Sequence, residues 1–230
     1  MPAQGVPIVG GPMASESDDA ALPADPGEAR ALVEAVTELH RAGWCPATSS
    51  NFSYRPLRAG TRPGFWISQS GVDKGRFGPE HLMAVDASGV PIPPERRRPS
   101  AETGLHALVY RVHPEAGAVL HVHAPHSVVA SRAHLAQGEV RFSGWELQKG
   151  LAGQTTHEAE VRVPIFDNAQ DIPALAEAIE PVLRDRPHLT AFLLAGHGLY
   201  AFGRSVAEAK RHVEVVETLL HHEHLWRALR

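Results

Sequence analysis

The stretch Ala118-Val119-Leu120-His121-Val122-His123-Ala124-Pro125 decides how this chain reads. Its apolar run, short and closed by a turn at Ala124-Pro125, has the character of a buried strand. Side chains at i and i+2 of a strand share a face. His121 and His123 can therefore aim two imidazoles at one point without bending the backbone. A second apolar strand, Ala191 to Leu194, runs into Ala195-Gly196-His197-Gly198, where glycines allow unusual backbone angles and close approach. His197 is the candidate third imidazole. Three His ligands with an open position form the pattern of a catalytic zinc site, although imidazole also suits Fe, Co, Ni or Cu. An H-x-H pair alone fits core or surface histidines equally well, and 15 His make a chance pair easy to find.

The elements around this strand follow from punctuation and periodicity. Asp25-Pro26-Gly27-Glu28 sets an N-cap Asp, a Pro at N1 and a Glu at N3. Ala29, Leu32, Val33, Val36 and Leu39 then recur at helical spacing until Gly43. Thr48 to Ser53 is a polar loop entering a short strand. Phe65 to Ser68 and Leu82 to Val85 are further strands, and Asp86-Ala87-Ser88-Gly89 is a turn. Residues 91–99 read as a Pro- and Arg-rich loop. Ser100 then starts a helix carrying Leu105, Leu108, Val109 and Val112, ended by Pro114. Val161 to Phe166 is a strand, and helices fill 126–132 and 172–184, with a kink expected at Pro181. Ser205-x-x-Glu208 is a capping box opening a long C-terminal helix. Helices and strands interleave, yet hairpins occur too, which predicts a mixed sheet covered by helices.

Composition narrows the class. The 230 residues carry Lys+Arg 22 and Asp+Glu 26, a formal net charge of -4, with 15 His but 1 Cys. One Cys makes neither an internal disulfide nor a thiolate zinc finger, and Cys45 is most simply a small buried residue. The weak negative balance argues against nucleic-acid binding or attachment to an anionic membrane. A chain this long buries about 70% of its unfolded surface. The first 24 residues lack Lys and Arg, so no signal peptide is read there. No apolar run is long enough to span a membrane, and the expectation is a cytoplasmic protein. Residues 1–24, rich in Pro, Gly, Ser and Asp, are expected to be a disordered tail ahead of a single domain over 25–230.

Three segments offer small hydroxyl and amide groups: Ser49-Ser50-Asn51-Phe52-Ser53, Ser68-Gln69-Ser70-Gly71 and Pro99-Ser100-Ala101-Glu102. Such loops can form an anion nest, with Ser100 at a helix N-terminus, and each alone is equally an ordinary turn or cap. Lys74 can neutralise a phosphate or be a solvated loop lysine. Arg96-Arg97-Arg98 is a solvated charge run. Glu102, one turn into its helix, and Glu146, between aromatic and apolar neighbours, are the candidate acid–base groups; the alternative for each is a capping or surface carboxylate. His221, His222 and His224 read as a solvated helix face, His126 as a helix cap, and His106 as a partly buried helix histidine.

In their order and spacing these motifs resemble the class II aldolase and adducin family over about residues 28–225. The carriers are the Ser49–Ser53 loop, Ser70-Gly71, Pro99 to Glu102, Leu120 to His123 and Gly196-His197-Gly198. Gly43 to Thr48, Ile67 to Lys74 and Glu146 to Gly150 are similar to sugar-phosphate dehydratases within that family. The resemblance implies a three-layer α/β/α sandwich with a mixed, mostly antiparallel central sheet, assembled as a homotetramer. It implies one zinc per subunit on His121, His123 and His197. It implies a sugar-phosphate dianion held by Asn51, Ser70, Gly71 and Ser100. Glu146 matches the general acid/base of the dehydratases, and Glu102 the acid/base or added ligand of the aldolases. The implied activity is loss of water from 5-methylthioribulose 1-phosphate in methionine salvage. A sugar-phosphate aldolase, a pentose-phosphate epimerase and a non-catalytic adducin-like module are the alternatives. Ser50 departs from the pattern, since many relatives carry Gly there.

Overall fold

The computed structural model describes residues 25–56 and 64–230. The expected tail over residues 1–24 lies outside them. The elements follow in the order α1 (Pro26–Arg41), β1 (Asn51–Tyr54), β2 (Gly64–Ser68), β3 (Leu82–Asp86), α2 (Thr103–Val112), β4 (Ala118–Val122), α3 (Pro125–Ala133), β5 (Glu139–Phe142), β6 (Val161–Phe166), α4 (Ile172–Asp185), β7 (Ala191–Leu194), β8 (Gly198–Gly203) and α5 (Val206–Ala228). The strands form an eight-stranded sheet in the order β3-β2-β1-β4-β8-β7-β6-β5. Only β6 and β7 pair in parallel; the other neighbours are antiparallel.

Two cores flank that sheet. Because side chains alternate, Leu120 and Val122 of β4 face one side and Val119 the other. Leu120 and Val122 pack with Leu32, Val36 and Leu39 of α1 and with Val213, Val216 and Leu220 of α5. Val119 packs with Leu105 and Leu108 of α2 and with Leu175, Ile179 and Leu183 of α4. Each fully buried Leu, Ile or Val stabilises such a core by about 1.5–3 kcal/mol. Helices on both faces make the three-layer α/β/α arrangement that the resemblance implies.

The ends of the elements show local causes. Asp25 accepts from the N–H groups of Gly27 at 3.0 Å and Glu28 at 3.4 Å, as its N-cap position requires. Asp86 accepts from Ser88 N at 2.9 Å and Val90 N at 3.0 Å, which closes the expected turn. Ser205 caps Glu208 N at 3.2 Å, but the Glu208 carboxylate reaches back to Arg204 N at 2.8 Å, one residue short of a reciprocal box. α4 runs through Pro181 to Asp185.

One expectation is corrected, and two strands escape the sequence reading. α2 begins at Thr103, because Ser100 first closes a turn that accepts Thr103 N at 3.1 Å and Thr103 Oγ1 at 2.6 Å. Glu102 is therefore the residue before the helix, and its side chain makes no capping bond. β8 does not show in the periodicity, since all six of its residues are buried and no alternation marks it. β5 is a four-residue edge strand whose pattern is too short to read.

Candidate active site

One row of cross-strand neighbours builds the centre. Phe192 of β7 pairs with Tyr200 of β8, Tyr200 with His121 of β4, and His121 with Asn51 of β1. Directly paired residues share a face, so all four point to the α2 side. The Phe192 and Tyr200 rings stack with centroids 4.8 Å apart, and Tyr200 stacks on His121 at 4.1 Å. His121 is thus clamped flat against an aromatic ring with no exposed surface.

His123 follows two residues later on the same side, and its Nε2 lies 3.0 Å from His121 Nε2. His197 arrives through the tight β7–β8 turn, with its Nε2 3.3 Å from His121 Nε2. Gly196 takes φ +65 there, and Ser131 Oγ accepts its N–H at 3.0 Å. Gly198 has to be glycine, since a Cβ would stand 2.2 Å from Val122 O. These three histidines bring three metal-ligating atoms within 4.8 Å of one another.

The other ring nitrogens set the tautomers. His121 Nδ1 donates to Leu199 O at 3.1 Å, and His197 Nδ1 donates to Asn168 Oδ1 at 3.0 Å. Both Nε2 lone pairs are left facing the shared point, an arrangement found around metal-ligating histidines. Burial pushes His121 well below the usual imidazole range, and burial with the neighbouring His197 pushes His123 down to about 4. Such imidazoles, two of them with the tautomer fixed, fit a divalent cation.

Glu102 closes the group. Its Oε1 is 3.2 Å from His197 Nε2 and its Oε2 3.5 Å from His121 Nε2. Oε2 also accepts from Tyr200 OH at 2.6 Å and Asn51 Nδ2 at 2.7 Å. Burial alone would raise this carboxyl. The adjacent His197 and His121 and the bonds from Tyr200 and Asn51 outweigh it and hold the carboxyl below the usual range.

The small-residue loops converge beside these groups. β1 and β4 are antiparallel, so the start of β1 meets the end of β4; the end of β2 joins them there. Asn51, Ser70, Gly71, Lys74 and Ser100 line a cleft of about 180 Å³ with Glu102, His123 and His197. Lys74 is buried, and its ammonium donates to Val72 O at 2.9 Å and Thr48 O at 3.4 Å. Burial lowers its pKa, and among the described residues no carboxylate pairs with it within 4.0 Å. The Ser49 hydroxyl on the cleft wall is buried without a partner. An unmatched cation, an unpartnered hydroxyl and short loops suit an oxyanion.

The apolar surroundings expected of Glu146 are corrected. β5 is antiparallel to β6, and β6 parallel to β7, so the chain beyond Phe142 leaves from the end of the sheet opposite His121 and Leu194. Glu146 starts a short 3-10 turn there, its side chain 72% exposed and ion-paired with Lys149 and, at 3.6 Å, with His157. The Lys149 bond lowers its pKa. Trp145, its aromatic neighbour in sequence, turns away to bond Glu223 at 2.8 Å. Within its own chain Glu146 does not meet the cleft. A larger cleft of about 360 Å³ also opens at the end opposite His121. Its buried His212 is paired off with Phe202 O at 2.7 Å and Ala152 N at 3.1 Å.

Sequence reading missed Tyr200 and Asn168, and it gave His106 no task. No short motif marks them, because their roles arise from strand register and loop contact. His221 stacks on His126 at 4.2 Å and His222 packs against Trp145, which leaves them outside the site.

The family model of the class II aldolase and adducin N-terminal domain matches residues 30–224. A methylthioribulose-1-phosphate dehydratase of Xanthomonas campestris pv. campestris (strain 8004) is 48% identical over 195 residues, covering 85% of this chain and 87% of its own. One from Stenotrophomonas maltophilia (strain R551-3) is 46% identical over 202 residues, covering 88% and 92%. The crystal structure of L-fuculose-1-phosphate aldolase from Thermus thermophilus superposes with a TM-score of 0.67 at 28% identity, covering 87% of this chain and 95% of its own.

Proposed function

Because the chain belongs to the class II aldolase and adducin family, we propose that it removes water from 5-methylthioribulose 1-phosphate to give 2,3-diketo-5-methylthiopentyl 1-phosphate, a step of methionine salvage. The observation that carries this reading is the meeting of three histidine Nε2 atoms and the Glu102 carboxylate with a cleft suited to an oxyanion.

His121, His123 and His197 would hold one zinc ion. Zinc bound there supplies Lewis-acid polarisation of the substrate carbonyl. Ser70, Gly71, Ser100 and Lys74 take the phosphate. Asn51 helps with the second hydrogen of its amide, since the first is given to Glu102. Anchoring the phosphate fixes which carbons face the histidines. Glu102, kept ionised, accepts hydrogen bonds from the substrate hydroxyls.

Dehydration breaks the C3–H and C4–O bonds. The C3 proton passes to a base, the C4 hydroxyl leaves with a proton as water, and the resulting C3–C4 enol becomes the diketone by protonation at C4. Glu146 is assigned this proton transfer. The sheet directions exclude its own cleft, so it acts in the cleft of a neighbouring copy within a homotetramer. Glu102, the other candidate acid–base group, is tied to Tyr200 and Asn51 through Oε2.

The test is incubation of purified protein with methylthioribulose 1-phosphate, with and without a chelator. Chelator-sensitive diketone formation is expected. Dihydroxyacetone phosphate without diketone would assign the aldolase alternative instead.

A further inference from the structure

Behind Glu102 a line of buried polar groups runs into the α2-side core, and the function above gives it no task. Asn51 Nδ2 lies 2.7 Å from Glu102 Oε2. Asn51 Oδ1 lies 2.5 Å from His106 Nε2, His106 Nδ1 2.7 Å from Ser53 Oγ, and Ser53 Oγ 2.8 Å from Tyr110 OH. His106 and Ser53 have no exposed surface. Asn51 and Ser53 are two apart on β1 and share its α2-side face, while His106 and Tyr110 are four apart on α2 and share the helix face that meets them.

Every proton in this line has a forced position. Asn51 turns its NH2 toward Glu102 Oε2, which accepts at 2.7 Å. Its carbonyl oxygen therefore faces His106 and accepts, which places the hydrogen of His106 on Nε2. Burial keeps that ring neutral, its pKa down to about 3, so Nδ1 is a bare lone pair and Ser53 donates to it. The Ser53 oxygen then accepts from Tyr110. All four bonds point the same way, toward Glu102. An amide cannot hand a proton along without becoming an imidic acid. The line therefore transmits orientation and polarisation rather than protons.

We propose that His106 is a positioning residue, which through its Nε2–H locks the Asn51 amide so that one N–H is always aimed at Glu102 and the other at the substrate phosphate. The inference rests on the dehydratase reading for its kinetic consequence alone. Without His106 the amide has no reason to prefer one face, and a flipped Asn51 sets its carbonyl oxygen against the carboxylate.

His106→Leu is expected to lower kcat/KM about 10- to 100-fold, the cost of one unsatisfied buried acceptor. His106→Gln, which restores an N–H donor, is expected to recover most of it. In an Asn51→Ala background the His106→Leu change should cost nothing further, because it acts only through that amide. A purely structural role would instead multiply the two losses. The 15N-resolved side-chain amide signals of Asn51 in metal-free protein give a readout that needs neither substrate nor turnover. One strongly downfield proton is expected in wild type and is lost in His106→Leu. If His106→Leu does not fold, Ser53→Ala decides, with a smaller fall in kcat/KM and a shift of the same signal. Wild-type kcat/KM in His106→Leu, multiplicative losses, or unmoved Asn51 signals would overturn the proposal. If the wild type fails to act on the substrate, the dehydratase reading falls and the amide signals alone decide the role of His106.

Discussion

Glu217 offers a test of how the turn after His123 is held. It belongs to α5, is 2% exposed, and points at the start of α3. There it accepts from His126 N at 2.8 Å, Ser127 N at 2.9 Å and Ser127 Oγ at 2.5 Å. α3 has Ala124 at its N-cap, which offers no side-chain acceptor, so a carboxylate from another helix takes that place. Its negative charge also faces the positive end of the α3 dipole. Glu217→Ala leaves two backbone N–H groups and a hydroxyl buried without partners. At about 1–3 kcal/mol for each such group, partly relieved by water entry, the loss should reach about 3–5 kcal/mol. Glu217→Gln keeps one acceptor oxygen, sets an NH2 against the remaining donor, and should cost about 2 kcal/mol. For a protein of this size that corresponds to a fall in Tm of about 4–8 °C. Thermal melts followed by circular dichroism at matched protein concentration measure it. Because His123-Ala124 leads into the first turn of α3, the Gln variant should also bind zinc more weakly in a competition titration. A Glu217→Gln protein within about 0.5 kcal/mol of wild type, the scatter of ordinary surface changes, with unchanged zinc affinity, would refute the view that α5 fixes this turn.

His121→Ala and His197→Ala should lose zinc while keeping the fold, read by elemental analysis of purified protein alongside circular dichroism; a full complement in either would break the ligand set. Co-expressed Glu146→Gln and His121→Ala chains should regain part of the wild-type turnover that neither shows alone, and no recovery would remove Glu146 as a group lent between copies. Ser50 holds a left-handed φ of 71, which costs an L-residue about 1–2 kcal/mol. Its hydroxyl is 3.5 Å from Trp44 O and gives little back. Allowing for the extra freedom of glycine in the unfolded chain, Ser50→Gly should stabilise by about 0.5–1 kcal/mol in thermal melts. His106 is neutral in the fold, with a pKa down to about 3. The unfolded imidazole takes a proton near ~6.5, so this contribution is whole above that pH and is lost as pH falls, at about 1.4 kcal/mol per unit. Urea midpoints between about pH 6.5 and 4.5 should drop accordingly, and His106→Leu should flatten that slope.

The sequence made some of this legible for definite reasons. The i/i+2 geometry of a strand is rigid enough that His121 and His123 pair from spacing alone, and the glycines around His197 announce a tight turn. Glu102 is harder. Ser100, Glu102 and Thr103 all suit the start of a helix, so its first residue is ambiguous, and that ambiguity hides a carboxylate free to turn toward the histidines. Glu146 misleads because a neighbour in sequence need not be a neighbour in space. In a 3-10 turn, Trp145 and Glu146 point in different directions, so an apolar neighbour does not bury a carboxylate.

What spacing could not supply is register, and the site depends on it. The row Phe192, Tyr200, His121 and Asn51 exists because β7, β8, β4 and β1 pair in one register. A slip by one residue between β8 and β4 would replace the stacked Tyr200 with Leu199 or Ala201, whose side chains face the other core. Glu102 would lose its phenol donor at the same stroke. Two glycines bracket β8, and the first has no room for a Cβ against Val122 O. That close approach pins β8 to β4 at the level of the histidines. Gly198 thus belongs to the chemistry as much as His197 beside it, since it sets which ring lies under His121 and which hydroxyl reaches Glu102.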